Sequence, residues 1–595
     1  MQPYGTRLKD HFQSELNALV EDAAVFAQSY PAEAESLQLG KSGSSDPQVR
    51  MLMQSFAFLT GRVRNEMEVA KAHIPNALLQ HLQPQLAAPL PSMMVAHIDV
   101  RRDVPPRAVL ERDRQVIGYA LDDAGQRRPC RLRTTLDTPL LPLRVRQVEL
   151  RAVDSASDLP DNAKAVLKLS IESRGLVPTS MMGIERLRFY IDASQRHAHY
   201  LYEQLSLRFV GALVEGQLQR DCELSWLGFA GNEACLPARA HAHPGHRLLQ
   251  EYFAFPEKFM FFELGPLSLG SVTGDFELEL LLDAPIDGQR QLTNTLLRLN
   301  CVPLVNLFQQ RIDPMPLNHA RFEYPLRADV ENHRYCEVHS IEELTTIRPD
   351  GSLRELRPYF EMESLLHQHH HEHFYALRLE RSQLGNVAGT EAHVSFLDAG
   401  QQLVQPSAEI LAGRALCTNR RLPERLRPGQ PLQLEGPGPV LGLELISKPT
   451  AHGTPVLTGR RPWTLVSLLA LNHLSLADGA KALGTLKQAL LAYVGPAGVE
   501  GVKHIDALTD LQCRPMVRHC FRNGSRSFFH GLEITLRMDR EAFSNGSALL
   551  FAAVLRHFLA LYAAVNTVVE VRYESTSRRD ALKVWPLLAG AQIVL

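Results

Sequence analysis

The hydrophobic period of this chain changes twice, and that restricts its architecture more than any single motif does. Over residues 8–30 apolar side chains recur at helical spacing, at Phe12, Leu16, Leu19, Ala23, Phe26 and Ala27. Tyr30-Pro31 should end that helix, because proline pushes the residue before it out of the helical region. Asp46-Pro47 then reads as an N-cap with proline in the first turn, opening a helix with Val49, Leu52, Met53, Phe56, Leu59 and Val63 along one side. A third helix is expected over 74–82, and the three prolines between Pro84 and Pro91 predict a linker. Near residue 95 the period drops to two. Residues 95–100, 144–151, 165–172, 276–282, 335–339, 375–379 and 392–396 read as strands, with a helical exception at 198–205. Helical spacing returns after Trp463 at Leu465, Leu468, Leu469 and Leu476. A strand is expected at 532–538, an almost wholly apolar helix at 547–565 and a last strand at 567–573.

With 595 residues the chain exceeds one hydrophobic core, so about three to four domains are expected. The fold class is therefore α+β and multidomain. A helical N-terminal module (1–95) is followed by two β-rich, sandwich- or barrel-like modules (96–316 and 317–455) and an α+β C-terminal module (456–595).

Composition excludes several function classes. Charged residues are 22% of the chain and the net charge is −2, which argues against broad attraction to nucleic acid or anionic lipid. The local cluster Arg420, Arg421, Arg425 and Arg427 reads as a solvated rim. The eight cysteines form no CxxC pair, and such sparse usage fits a reducing compartment better than a disulfide scaffold. The N-terminus lacks the apolar stretch of a secretory signal, and no uninterrupted apolar run reaches the ~18 residues a membrane helix needs. The chain is expected to be cytoplasmic, without direct membrane insertion.

Reactive chemistry is sparse. His367, His369, His370, His371 and His373 could bind zinc or copper, but no HExxH accompanies them and contiguous histidines diverge in any regular structure, so a solvated loop is the plainer reading. Gly436-Pro-Gly-Pro-Val-Leu-Gly442 has the wrong spacing for a dinucleotide loop, and its prolines remove the N–H groups that would hold phosphate. Glu361/Glu363 and Asp122/Asp123 are carboxylate pairs without implied geometry, and Ser467 with His473 makes a triad only on paper. No catalytic residue, metal site or cofactor is assigned. The densest feature is aromatic: Tyr252, Phe253, Phe255, Phe259, Phe261 and Phe262 must be enclosed, in a core first and under a partner second, and the same holds for helix 547–565.

Two stretches are idiosyncratic without being reactive: 249–263, which carries those aromatics, and Asn300-Cys-Val-Pro-Leu-Val-Asn-Leu-Phe-Gln-Gln-Arg-Ile-Asp-Pro314. Around them stand Ser55-Phe-Ala-Phe-Leu-Thr-Gly-Arg-Val63, Pro75, Leu78-Leu79, Ala88-Pro-Leu-Pro-Ser92, Leu416-Cys-Thr-Asn-Arg420 with Leu422-Pro423, and Trp463-Thr-Leu-Val-Ser467 with Leu471-Asn-His-Leu-Ser-Leu476. Gly531-Leu-Glu-Ile534, Phe543, Val554-Leu-Arg-His-Phe558 and Tyr562-Ala-Ala-Val-Asn566 complete the series. In this order the blocks resemble the TssF (ImpG/VasA) family of type VI secretion baseplate proteins over essentially the whole chain. The chain departs from the family at His81-Leu-Gln-Pro-Gln-Leu86, where an aromatic-rich segment is usual, and at His530, where arginine commonly precedes the glycine.

The resemblance implies a structural role without catalysis. Its expected partners are TssG (two copies of this chain per TssG), TssK, the spike and hub (VgrG), sheath-proximal components and a second copy of itself. The assembled location would be the cytoplasmic side of the inner membrane. Exposed polar and aromatic positions inside the family-like blocks are the expected interface residues: Asn306, Phe308, Asp313, Asn419, Arg420, Asn472, His473 and Asn566. The alternatives are a metal-dependent hydrolase centred on His367–His373 and a carbohydrate-binding β-sandwich.

Overall fold

The computed structural model describes residues 4–590 apart from 41–42, 153–161, 238–243, 286–295, 319–320, 360–372, 383–386, 399–408, 458–460, 470–478, 496–497, 523–524, 564–566 and 578–580. It is a mixed α and β chain. Two long helices, α1 (Tyr4–Ser29) and α2 (Pro47–Leu82), form an antiparallel pair at the N-terminus. Asp46 caps α2 as expected, its carboxylate accepting from the Gln48 N–H at 2.7 Å. The two helices expected over 49–63 and 74–82 are one helix of 36 residues, with Pro75 inside it. The connecting residues 64–73 are mostly strong helix formers, and they carry the helix into the proline. α1 and α2 approach closely at Gly61, where a Cβ would stand 2.9 Å from the Phe12 backbone nitrogen.

The alternating segments form strands, and their pairing crosses long distances in sequence. Six strands close a barrel in the order Cys301–Val305, Met93–Val100, Val440–Leu445, Pro431–Leu434, Gln115–Leu121 and Arg127–Thr134. The closing pair is Leu304↔Thr134. Met93, Val95, Val116, Leu132, Val302, Leu304, Leu432 and Leu443 are among its buried side chains. The barrel thus joins strands from both sides of the expected 316/317 division. The Gly436–Gly442 stretch spans its turn after Pro431–Leu434 and the start of Val440–Leu445, and Gly436 takes a φ of 85° there.

A five-stranded sheet (Leu143–Ala152, Ala165–Ser173, Phe276–Leu282, Phe209–Val214, Gln217–Gln219) and a four-stranded sheet lie beside the barrel. Helices α3 (Gln195–Arg208) and α4 (Pro244–Ala254) belong to this region. A seven-stranded sheet running from Phe308–Pro316 to Ile410–Thr418 has its own core around Tyr324, Leu344, Phe396 and Leu411. The C-terminal part carries α5 (Arg461–Leu469), α6 (Gly479–Leu491), α7 (Val499–Asp506), a five-stranded sheet and α8 (Ala548–Tyr562).

The aromatic stretch is core. Tyr252, Phe255, Phe259, Phe261 and Phe262 are buried, and Tyr252 stacks on Phe551 of α8 with ring centroids 5.4 Å apart. α8 is therefore enclosed by its own chain, which disposes of the need for a partner around it. Beneath the aromatics Glu251 and Lys258 form a fully buried ion pair, and Glu251 also accepts from the Leu236 N–H at 2.8 Å. Removing one member of such a pair strands a charge away from water. A small cluster of Leu79, Ala87, Leu465, Ala489 and Ala492 ties the base of α2 to the C-terminal helices.

Candidate partner-binding surfaces

Four of the expected interface residues are not at the surface. Asn306, Phe308, Asn419 and Arg420 are buried where the barrel meets the seven-stranded sheet. Asn306 follows barrel strand Cys301–Val305 and Asn419 follows sheet strand Ile410–Thr418. Their amides are locked together: the Asn419 N–H donates to Asn306 Oδ1 at 2.7 Å and Asn306 Nδ2 donates to Asn419 Oδ1 at 2.9 Å. The barrel joins through the Arg131 N–H, which donates to Asn419 Oδ1 at 2.8 Å, and the Arg131 carbonyl, which accepts from Asn306 Nδ2 at 2.7 Å. Asn419 Nδ2 reaches the Tyr335 carbonyl at 3.0 Å. The Arg131 guanidinium lies 5.3 Å from the centre of the Phe308 ring. Chain entering and leaving a barrel must find partners for its backbone groups, and these two asparagines supply them. The expectation of exposure fails because asparagine is as useful at a buried crossover as at an interface.

Arg420 sits at a φ of 54° and turns inward, its guanidinium 3.0 Å from Glu391. Next to it Glu337, fully buried, accepts from the Thr390 N–H at 2.5 Å and from the Thr418 hydroxyl at 3.2 Å, and lies 2.7 Å from His452 Nε2. Burial alone would raise the Glu337 pKa. His452, Arg420 and the Thr390 N–H hold it below the ordinary glutamate range instead. Arg421 pairs with Glu424 at 3.3 Å and Arg425 with Asp123, so of the four arginines one is buried and two are paired at the rim. Asp313 is exposed and accepts from the Val330 N–H at 2.8 Å. Asn472, His473 and Asn566 lie outside the described residues, as do His367, His369, His370 and His371. Among the described residues no group of three or more His, Cys, Asp or Glu could hold a metal ion.

The surface that stands out is one the sequence places in a helix but not outside it. Leu52, Phe56, Leu59, Val63, Met67 and Ile74 of α2 are each between 54% and 65% exposed. At 3.6 residues per turn they fall on one stripe. The opposite side of α2, which meets the rest of the chain, carries Ala57, Gly61, Asn65, Ala72 and Leu79, all buried. The helix is inverted relative to an ordinary amphipathic one: small residues face its own protein and large apolar ones face out. Contiguous exposed apolar residues are a common feature of interaction sites.

The comparisons with known proteins give the family. The model of the type VI secretion system TssF family matches residues 5–592. This chain belongs to the TssF family. A TssF1 component of the type VI secretion system from Pseudomonas aeruginosa is 28% identical to it, covering 98% of this chain and 99% of that protein. The solved TssK-TssF-TssG baseplate subcomplex contains a chain with a TM-score of 0.74 and 25% identity, covering 91% of this chain and 99% of that one. A chain of a type VI baseplate complex matches with a TM-score of 0.60 at 22% identity, covering 95% and 96%, and shares the fold.

Buried neutral histidines add a pH dependence. His199 and His339 are pushed down to about 4, both by burial first, then by His504 and Arg133 respectively. His97, His504 and His557 are held near the same value, again chiefly by burial. Unfolded histidine titrates near 6.5, so the unfolded chain binds protons the folded one refuses, and stability falls as pH drops from about 6.5 toward 4. His199 and His339 alone should remove on the order of a few kcal/mol across that window. Glu337, with its lowered pKa, adds a further loss below the ordinary glutamate value, as pH falls through its folded pKa. Urea midpoints at pH 7.5 and pH 5 test this, and equal midpoints would refute it.

Proposed function

We propose that this chain is a non-catalytic structural subunit of the type VI secretion baseplate. It assembles with TssG- and TssK-like proteins into a wedge, two copies to one TssG-like protein, around the VgrG spike and hub and below the sheath-proximal components. The observation that carries the reading is the outward stripe of α2, from Leu52 to Ile74. Its spacing suits packing against another helix, and the occupant we assign to it is a helix of the TssG-like partner. Membership of the TssF family and the likeness to the chain in the TssK-TssF-TssG subcomplex support the same reading. Among the described residues no helix is long and apolar enough to cross a membrane, which agrees with work on the cytoplasmic side of the inner membrane. No partner role for nucleic acid is assigned. No observation favours the hydrolase or the carbohydrate-binding alternative.

The test is co-expression with the neighbouring TssG-like protein, followed by size-exclusion chromatography with light scattering. A stable complex of two copies to one is the expected result. A monodisperse single chain that ignores the partner would overturn the proposal.

A further inference from the structure

The five-stranded sheet beside the barrel ends on one side in a long open edge. Its order runs from Gln217–Gln219 to Leu143–Ala152, and Leu143–Ala152 pairs only with Ala165–Ser173. In an antiparallel pair every second residue turns its N–H and C=O away from the partner strand. The Leu143 carbonyl lies 3.4 Å from Asn300 Nδ2. Beyond it, the outward backbone groups of this strand have no partner among the described residues.

Natural sheets blunt such edges with charge or a bulge, and this strand has both: a bulge between Val145 and Gln147, and exposed Arg144, Arg146 and Arg151. An edge that is merely blunted faces open solvent. This one does not. Four consecutive residues, Leu143 through Arg146, line a cleft of about 690 Å³. Side chains alternate along a strand, so a cleft lined by consecutive residues reaches the strand's edge as well as a face. Its other walls come from barrel strands Met93–Val100 and Val440–Leu445 and from residues 297–299.

Charge in the cleft is divided between its walls. Arg298 is held by Asp192 at 2.5 Å. Glu172, opposite Arg144 in the ladder, is taken by Arg174 at 3.3 Å. Arg144 and Arg146 are left without an ion pair among the described residues. On the barrel wall Asp99 and Glu444 are exposed and likewise unpaired. Half-buried His97 stands beside them, its pKa lowered to about 4 by burial and then by Arg298, with Arg144 and Arg174 adding to the effect and Asp99 opposing it. Three guanidiniums thus act on one point of the cleft.

We propose that this cleft takes an extended acidic segment of a neighbouring baseplate protein, which adds as a further strand to the open edge of Leu143–Ala152 and sets carboxylates against Arg144 and Arg146. Main-chain hydrogen bonds to the edge supply affinity. The two free guanidiniums, each able to hold a carboxylate by both oxygens, supply selection. Asp99 and Glu444 repel acids turned toward the barrel, so the segment carries its acids at every second position. The proposal rests on the baseplate reading above and involves a different surface from the α2 stripe.

The test uses the complex purified with the TssG- and TssK-like proteins. Arg146→Lys keeps the charge and makes the position reactive to carbodiimide, which joins an amine to a carboxylate in direct contact with it. The expected product, mapped by mass spectrometry, is an isopeptide bond from position 146 to an Asp or Glu in a partner segment with acids at alternate positions. Hydrogen exchange of the outward amides within 143–152 should also slow at least tenfold on assembly. Arg144→Glu with Arg146→Glu, both at exposed positions, should return it to the rate of the free chain. A complex that forms with exchange at 143–152 unchanged, or whose position 146 joins only to carboxylates of this chain, overturns the docking edge and leaves the baseplate reading intact. So does protection that survives the double glutamate change, or that nuclease treatment removes. Failure of the complex to form at all overturns both.

Discussion

Replacing Asn419 with leucine should lower the free energy of unfolding by about 3–5 kcal/mol, read as a large drop in the urea midpoint. Leucine has the same branched arrangement of four side-chain heavy atoms as asparagine, so the loss is chiefly one of polar partners. Asn419 Oδ1 accepts from the Arg131 N–H and from Asn306 Nδ2, while Asn419 Nδ2 serves the Tyr335 carbonyl. Each buried group left without a partner costs roughly 1–3 kcal/mol; the Arg131 N–H and the Tyr335 carbonyl lose theirs and Asn306 Nδ2 loses one of two, which sets the range. The damage falls where barrel and seven-stranded sheet are joined, so both should loosen together. Arg421→Leu, two residues away on the paired rim, should stay within about 0.5 kcal/mol of the parent. Asn419→Asp keeps one acceptor but buries a charge and turns an acceptor oxygen toward the Tyr335 carbonyl, so its cost at neutral pH should be no smaller than that of the leucine change. An unchanged midpoint for Asn419→Leu would show that the junction does not depend on this amide.

The same residue shows which parts of the molecule were legible in sequence. Asn306, Asn419 and Arg420 stood out as unusual, but a family-like block reports that a position matters and not which way its side chain points. Strands were legible where one face is consistently apolar, as in Ala165–Ser173 and Phe276–Leu282, whose alternation is close to ideal. Arg127–Thr134 was missed. Four arginines and Pro129 occupy its other positions, and only Cys130, Leu132 and Thr134 are buried, which is too weak a signal.

Closure of the barrel was illegible for a different reason. Met93–Val100 pairs with Cys301–Val305 on one side and Val440–Leu445 on the other. Periodicity tells a strand which face to bury and says nothing about a neighbour hundreds of residues away. Helix α8 was legible as enclosed because it is apolar all round, and the structure encloses it among Tyr252, Phe253 and Phe543. Periodicity also found α2 and its stripe, yet the stripe's direction could not be read. A run such as Leu52, Phe56, Leu59 and Val63 looks the same whether it faces its own core or another chain. The signal that could have decided it was on the opposite side, where Ala57, Gly61 and Ala72 leave room only for the close approach of α1.

Phe56→Glu combined with Val63→Glu should abolish assembly with the TssG-like partner while leaving this chain folded. Both side chains are more than half exposed, so the isolated protein should keep its urea midpoint to within about 0.5 kcal/mol per site. In the complex each would be sealed against a partner helix. Burying a side chain of this size contributes about 1.5–3 kcal/mol, and an unpaired carboxylate in its place adds a desolvation cost. Together the two changes should weaken association by about 4–6 kcal/mol, roughly a thousandfold or more in dissociation constant. The inward-facing change Gly61→Leu separates this effect from simple unfolding. It forces α1 away from α2, since even a Cβ at position 61 would crowd the Phe12 backbone, so it should lower stability and assembly together. The double glutamate variant should lower assembly alone. Were it to elute with the partner at the parent stoichiometry, the α2 stripe would not be the partner surface.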